Sequence, residues 1–111
     1  MKRYGSVARL EKGQVEQYRT LHAAVWPDVL AMIKECNIRN YSIYLHRLPD
    51  GNHYLFSYFE YIGSDFESDF ARMAADPVTR KWWKECAACK VPFEEPAGEY
   101  WAAMEEVFHQ D

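Results

Sequence analysis

Cysteine, glycine and long apolar runs are scarce in this sequence. The few cysteines argue against a disulfide-stabilised protein, and the lack of long apolar runs argues against a membrane-spanning one. The 111 residues hold three cysteines, an odd number without paired spacing, which argues against a disulfide framework. No apolar stretch approaches the roughly 20 residues of a membrane helix. The net charge is −4 without a basic block, so nothing suggests a nucleic-acid surface. The opening residues MKRYGSVARL lack the apolar centre of a signal peptide, and we expect a cytoplasmic protein.

Patterns for metal and phosphate binding are also missing. Cys86 and Cys89 form a CAAC pair, but no second pair of cysteines or histidines follows at ligand spacing. The sequence has no glycine-rich phosphate loop, no HExxH motif and no Ser-His-Asp order. We therefore expect no metal ion, and hydrolase or phosphotransfer chemistry has no support.

Aromatic residues, in contrast, are abundant. Eight tyrosines, six phenylalanines and four tryptophans make up 16% of the chain, and apolar residues make up 49%. A chain of this length and composition can bury a real core without cross-links. No repeat, linker or low-complexity segment divides it, so we expect a single domain over residues 1–111.

The spacing of apolar residues predicts two helices, each interrupted by a proline. The first covers residues 11–25 and should break near Ala24–Trp26, because Pro27 lacks an N–H and its ring clashes with the preceding turn. Pro27 can instead open a second segment, which should end near Glu35. The other broken helix consists of residues 63–76 and, beyond Pro77, residues 78–88.

Four strands are predicted from alternating residues rich in aromatic and β-branched types. They cover residues 3–10, 38–48, 53–61 and 103–110. The turn signal PDGN at 49–52 makes the two middle strands a hairpin. The order β, broken α, β, β, broken α, β is that of the split βαβ, or ferredoxin-like, α+β fold. This fold is a four-stranded antiparallel sheet with both helices on one face.

The other face of such a sheet would be uncovered in a monomer. The predicted strands carry so many aromatic residues that both faces should be partly apolar. A second copy, packed on the back of the sheet or covering an edge strand, would bury that surface. We therefore expect a homodimer.

The stretch YRTLHAAVWPD, residues 18–28, is the first candidate for a functional site. Steps of four residues place Tyr18, His22 and Trp26 near one helix face, although each side chain carries a group that needs a hydrogen-bond partner. Each of them, taken alone, is more often a packing residue. Their coincidence at a helix break, beside the hollow between sheet and helices, favours a ligand site.

A pair of tryptophans on a predicted helix and a tyrosine on a predicted strand extend this candidate site. Trp82 and Trp83 are adjacent on a helix and point about 100° apart, so one can be buried while the other lines a cleft. Tryptophan faces suit the C–H side of a sugar ring. Tyr41 shares a strand face with Ile43 and Leu45; if that face meets the helices, its hydroxyl needs an interior partner or a ligand.

Carboxylates are the weaker candidates. Glu60 and the neighbouring Glu105 and Glu106 fall near predicted strand positions. One of the last two should point inward or toward a subunit interface, where a carboxylate could assist proton transfer. Structural salt bridges account for most residues of this kind, so Glu60 and Glu106 rank below the histidine and the aromatic groups.

In the same order and spacing, the segments YRTLHAAVWPDVL, NYSIYL, LFSYFEY, WWK and MEEVF resemble the L-rhamnose mutarotases over nearly the whole chain. The Tyr-x3-His-x3-Trp-Pro element, together with the later Trp-Trp pair, is the specific part. The resemblance implies a dimeric ferredoxin-like α+β barrel that interconverts the α and β anomers of L-rhamnose, without a metal or organic cofactor. It further implies that His22 is the catalytic acid and that the sugar-binding residues are Tyr18, Tyr41, Trp82 and Trp83.

Two segments depart from that resemblance, and other functions also fit these residues. The turn LPDGNH and the connection over residues 87–101 look individual and could border the pocket, so L-fucose is an alternative sugar. Cofactor-independent oxygenases of the α+β barrel type also use a helix histidine in an aromatic pocket. A non-catalytic module that holds an aromatic or haem-like ligand is a third reading. Oxygen consumption or a Soret band would identify these rivals, whereas a mutarotase would only exchange sugar anomers.

Overall fold

The fold is an antiparallel sheet with four helices, seen in a computed structural model that describes residues 1–95 and 97–111. The elements in chain order are β1 (Lys2–Leu10), α1 (Val15–Ala23), α2 (Pro27–Glu35), β2 (Ile38–Arg47), β3 (His53–Tyr61), α3 (Phe66–Ala75), α4 (Pro77–Ala87), β4 (Lys90–Val91) and β5 (Ala102–Met104). The predicted ferredoxin-like α+β fold, with both helices broken, is confirmed. None of the described helices is long and apolar enough to cross a membrane.

Strand β1 lies inside the sheet and sets its register. The strand order is β2-β3-β1-β4, and β5 also pairs with β1. On one side β1 pairs with β3 along almost its whole length. On the other side two short strands share the edge: β4 pairs with Arg9 and Leu10, and β5 pairs with Gly5–Val7. Two short strands, β4 and β5, therefore occupy the edge of the sheet where the sequence predicted a single fourth strand.

The C-terminal strand is shorter than expected. The prediction placed it at residues 103–110, but β5 ends at Met104 and no strand follows it in residues 105–111. The Arg3 guanidinium donates to both carboxylate oxygens of Glu106 at 2.9 Å, so a side-chain pair anchors the tail where a backbone ladder was expected. The preceding connection contributes β4, and its Pro96 lies outside the described residues.

Both helix breaks occur at prolines, as predicted. Helix α1 ends at Ala23 and α2 begins with Pro27, because Trp26 adopts the extended backbone that a residue before proline prefers. Pro77 opens α4 directly after Asp76, whose carboxylate accepts a hydrogen bond from the Thr79 N–H at 2.9 Å. The first break leaves the last turn of α1 facing α4, and this is where the cavity opens.

The core lies between the sheet and the helices. Its main cluster consists of Ala8, Leu10, Tyr18, Val29, Leu55, Trp82, Cys86 and Cys89. Alternation along β1 and β3 turns Ala8, Leu10 and Leu55 toward the helices, as the period of two requires. Two of the expected sugar-binding residues, Tyr18 and Trp82, therefore belong to the core as well as to the site.

A bulge in β2 orients Tyr41. The register shifts between Arg39 and Ser42, so that Asn40 and Tyr41 together occupy the space opposite one residue of β3. Asn40 has a φ of 51°, a left-handed conformation that asparagine tolerates better than most residues. Within the bulge, Tyr41 lies against Phe59 with ring centroids 5.5 Å apart, on the helix side of the sheet.

Candidate active site

A cavity of about 760 Å³ opens between the sheet and the two broken helices. Cavities of this size typically hold small organic ligands. All five residues expected to act on or bind a sugar line it: Tyr18, His22, Tyr41, Trp82 and Trp83. The structure therefore brings together residues from α1, β2 and α4 that are up to 65 positions apart in the sequence.

His22 is oriented by its own helix. Its Nδ1 lies 3.0 Å from the carbonyl oxygen of Tyr18. A carbonyl can only accept a hydrogen bond, so Nδ1 carries a proton and Nε2 is left for a ligand. The imidazole also stacks on the Tyr18 ring at 4.1 Å between centroids and meets Trp82 edge-on at 5.2 Å. Contacts on several sides thus fix the ring before any substrate binds.

The electrostatic environment keeps His22 uncharged at neutral pH. Desolvation lowers the pKa of His22; the hydrogen bond to Tyr18 opposes this effect, and the positive charge of Lys90 adds to it. An imidazole whose pKa lies below its ordinary value of about 6.5 is mostly neutral at pH 7. With Nδ1 protonated, the neutral ring has its lone pair on Nε2, where it can accept a proton.

The two tyrosines offer hydroxyl groups in a mostly apolar setting. Tyr18 is 5% exposed, and desolvation raises the pKa of its phenol. Desolvation likewise raises the pKa of Tyr41 to about 12, although 43% of its surface is exposed along the open cavity. Both phenols are therefore protonated at neutral pH, and each can donate one hydrogen bond to a sugar oxygen.

The tryptophans form one wall of the site, with different degrees of burial. Trp82 is 6% exposed, whereas Trp83 is partly exposed and stacks on Phe70 with ring centroids 5.6 Å apart. Trp26 meets Trp82 edge-on at 5.1 Å and is not among the residues that line the cavity. Trp26, which was a candidate by its helical spacing, therefore packs against Trp82 without lining the cavity.

Glu60 and Glu106, the other weaker candidates, are not brought to this cavity. Glu60 lies on the opposite face of the sheet, where it accepts hydrogen bonds from the Tyr58 hydroxyl at 2.6 Å and the Asn40 amide at 2.7 Å. These hydrogen bonds lower the pKa of Glu60, and the Arg3 pair lowers the pKa of Glu106. Both are ionised partners of structural contacts, and the period of two along β3 explains why Glu60 faces away from His22.

Lys90 lines the cavity, although no motif in the sequence points to it. Its ammonium nitrogen lies 4.7 Å from the centroid of Trp101 and 5.6 Å from that of Tyr18. Desolvation lowers the pKa of Lys90. The only sequence signal is a lone lysine between Cys89 and Val91, in an apolar segment that was expected to be a loop.

Metal-binding clusters are absent from the described part of the chain: residues 1–95 and 97–111 contain no group of three or more His, Cys, Asp or Glu side chains that could hold an ion. Cys86 and Cys89, the CAAC pair, are free and buried. Desolvation raises the pKa of the Cys86 thiol to about 11, so it is protonated and poorly suited to act as a ligand or nucleophile.

Fold and site together define an α+β protein of the ferredoxin-like class, with a cavity in which a neutral imidazole packed among aromatic rings can accept and return a proton. Comparison with known proteins gives a more specific answer. The family model described as L-rhamnose mutarotase matches residues 3–110. The L-rhamnose mutarotase of Lactiplantibacillus plantarum is 30% identical over 111 residues, all of both chains. That of Rhizobium meliloti is 33% identical over 90 residues, 78% of each chain. The chain belongs to the L-rhamnose mutarotase family and is an isomerase of the aldose 1-epimerase type.

Solved structures agree on the fold. The crystal structure of an L-rhamnose mutarotase from Formosa agariphila superposes with a TM-score of 0.75 at 22% identity, covering all of both chains. The tetracenomycin F2 cyclase of Streptomyces glaucescens, a type-II polyketide cyclase, superposes with a TM-score of 0.68 at 12% identity. Identities this low support a shared fold alone.

Proposed function

We propose that this protein interconverts the α and β anomers of L-rhamnose, with His22 as the main proton-transfer residue. The observation that carries the proposal is the hydrogen bond from Nδ1 of His22 to the Tyr18 carbonyl, which leaves Nε2 for the ligand. Tyr18, Tyr41, Trp82 and Trp83 bind the sugar in this proposal, because they surround His22 in the same cavity.

Mutarotation needs two proton transfers and one bond cleavage. A base takes the proton of the anomeric hydroxyl, the bond between C1 and the ring oxygen breaks, and an acid protonates that oxygen. The open-chain aldehyde rotates about the C1–C2 bond, and the reverse transfers close the ring on its other face. Nε2 of His22 is placed to accept the first proton as a base, and the resulting imidazolium is the acid that returns this proton when the ring closes. A well-placed acid or base typically contributes about 10²–10⁴-fold.

The apolar wall of the cavity suits a 6-deoxy sugar. The partly exposed Trp83 presents ring surface on which the C–H side of a pyranose can stack, and the buried Trp82 lines the cavity beside it. A methyl group at C6 can be buried against this wall without cost, whereas the C6 hydroxyl of glucose would lose its hydrogen bonds to water. L-fucose has the same methyl group, so stacking alone does not separate it from L-rhamnose.

NMR saturation transfer between the two anomeric protons tests the proposal across a panel of sugars. The protein should accelerate exchange for L-rhamnose most, for L-fucose less, and for D-glucose hardly at all. If L-fucose exchanged faster than L-rhamnose, the reaction would stand and the assignment of the sugar would fail. If no sugar in the panel exchanged faster than without protein, the mutarotase function would be wrong.

Chelation should leave the activity unchanged, since the proposed chemistry uses protein groups alone. We expect the exchange rate of L-rhamnose after exhaustive dialysis against EDTA to equal that of untreated protein. Loss of exchange that added zinc restores would contradict the mechanism.

We also propose that the protein is a homodimer that packs through the face of the sheet opposite the helices. Tyr44 on this face is 65% exposed, and Phe108 in the C-terminal tail is 78% exposed, although both are large apolar groups. Light scattering at micromolar concentration should give twice the mass of one chain. Tyr44→Lys should shift the mass toward the monomer, whereas Leu30→Lys, which changes a 53% exposed residue on α2, should not. A monomeric wild-type protein would contradict the proposal.

The cytoplasm remains the proposed location of the reaction. Cys36, Cys86 and Cys89 are all free thiols. Reduced cysteines are the normal state in the cytoplasm, while oxidising compartments favour disulfides.

A further inference from the structure

Lys90 brings a positive charge into the cavity. Strand β4 pairs with the end of β1 through Leu10 and Lys90, which fixes the backbone from which this side chain extends. The side chain is partly buried, and its ammonium lies over the rings of Trp101 and Tyr18. Among the described residues it takes part in no salt bridge. An ammonium has three N–H donors, and no hydrogen bond from Lys90 to another described residue occupies them, so a ligand oxygen in the cavity can accept one.

Lys90 and His22 line the same cavity. The Tyr18 ring contacts both: the imidazole stacks on it at 4.1 Å, and the ammonium lies 5.6 Å from its centroid. The charge of Lys90 is near enough to contribute to the lowered pKa of His22. A neutral imidazole that accepts protons and an ammonium that donates them are thus present in one cavity.

We propose that Lys90 is the second proton-transfer group of the ring-opening reaction: its ammonium donates to the ring oxygen of the sugar while Nε2 of His22 takes the proton of the anomeric hydroxyl. This inference rests on the mutarotase function proposed above. It also gives a role to the connection over residues 87–101, which supplies both Lys90 and Trp101.

The protons balance over the cycle. On opening, the C1–ring oxygen bond breaks, the anomeric oxygen becomes the aldehyde oxygen, His22 becomes an imidazolium and Lys90 becomes a neutral amine. On closing, the amine takes the proton back from the attacking hydroxyl, and the imidazolium returns its proton to the anomeric oxygen. No oxidant, reductant or co-reactant is needed.

The neighbours of Lys90 favour this role. The titratable groups nearest to it are Tyr18 and His22 from α1, Cys86 from α4 and Cys89 just after it. The other titratable or charged groups that line the same cavity are Tyr4, Tyr41, Arg80, Lys84, Glu99 and Tyr100. Desolvation is the largest effect and lowers the pKa of Lys90, while Cys86 and Cys89 oppose it. A lysine with a lowered pKa gives up its proton more readily than a surface lysine, which is what a general acid requires.

Two substitutions at this position separate proton transfer from charge and packing. Lys90→Met keeps an unbranched side chain without the charge, and it should lower kcat for L-rhamnose exchange by roughly 10²–10⁴-fold. Lys90→Arg keeps the charge over the two rings, but an arginine with a pKa above about 12 does not release its proton. We expect Lys90→Arg to lower kcat as well, with a smaller change in KM. The matched control is Lys81→Met, since Lys81 is exposed and lies 6.0 Å from the Trp26 ring centroid, outside the cavity lining.

The pH profile gives a readout that a structural role would not move. After subtraction of the uncatalysed rate, wild-type activity should fall at high pH as Lys90 loses its proton. This basic limb should disappear in Lys90→Arg, while the acidic limb that His22 produces should remain. Circular dichroism and melting curves check that the variants fold; if Lys90→Met does not fold, Lys90→Arg decides the question.

The outcomes distinguish this inference from the function on which it rests. If the wild-type protein exchanges the anomers but Lys90→Met matches it, or if Lys90→Arg keeps the wild-type rate and profile, Lys90 is a packing or purely electrostatic residue. The inference then fails and the mutarotase function stands. If the wild-type protein exchanges no anomers, the function fails and this inference fails with it.

Discussion

The substitution His22→Asn should lower anomer exchange by roughly 10²–10⁴-fold, the usual cost of losing a general acid or base. Asparagine is polar and of similar shape, and its amide nitrogen can still donate to the Tyr18 carbonyl, so the melting temperature should change little. What it loses is a nitrogen that accepts and returns a proton near neutral pH. Saturation transfer between the anomeric protons of L-rhamnose, run on folded wild-type and variant proteins, measures the effect.

The same residue should control the acidic side of the pH profile. His22 acts in its neutral form, and desolvation lowers its pKa, so activity should persist below the ordinary histidine value of about 6.5 and fall only as the pH drops through the lowered pKa. His22→Asn should abolish this limb along with the rate. Tyr18→Phe and Tyr41→Phe are the controls, because each removes one hydroxyl and keeps the ring; both should cost less than His22→Asn. If His22→Asn exchanged anomers at the wild-type rate, His22 would be a packing residue and another group of the cavity would have to transfer the proton.

The local fold around His22 follows from short-range rules. The break after α1 is dictated by Pro27, and the start of α4 by Pro77 and the Asp76 cap, so both can be read from the sequence. Spacing by four along one helix also places His22 on the face that carries Tyr18. These features depend on neighbours within one turn, and the structure agrees with the prediction.

Long-range contacts were harder to predict. The bulge at Asn40 adds a residue to β2, so that Ile38 and Tyr41 lie on the same side although strict alternation would separate them. The end of the chain looked like a strand by composition, but the pair between Arg3 and Glu106 holds it by side chains, across 103 positions. Lys90 enters the cavity because β4 pairs with β1, and a two-residue strand carries no periodic signal.

Trp82→Ala should have the second large effect, and it should act on stability and binding together. Trp82 is 6% exposed, and its ring meets both His22 and Trp26 edge-on. Truncating a buried tryptophan typically costs about 3–5 kcal/mol because it leaves a cavity. At about 4 °C per kcal/mol for a domain of this size, the melting temperature should fall by roughly 12–20 °C. The sugar should also bind more weakly, since Trp82 lines the cavity and packs against His22.

Trp83→Ala is the matched control, because it removes the same side chain from the next position of α4. Trp83 is partly exposed and stacks on Phe70 at the cavity wall, so its loss should weaken sugar binding with a smaller fall in melting temperature. For both variants the dissociation constant of L-rhamnose should change more than the pH profile, because neither tryptophan carries a transferable proton. Thermal melts followed by circular dichroism and sugar titrations of the folded proteins measure the two effects separately. If the two variants lost the same amount of stability, Trp82 would not contribute more to the core than Trp83. The interpretation of Trp82 as the buried ring that packs against His22 would then be wrong.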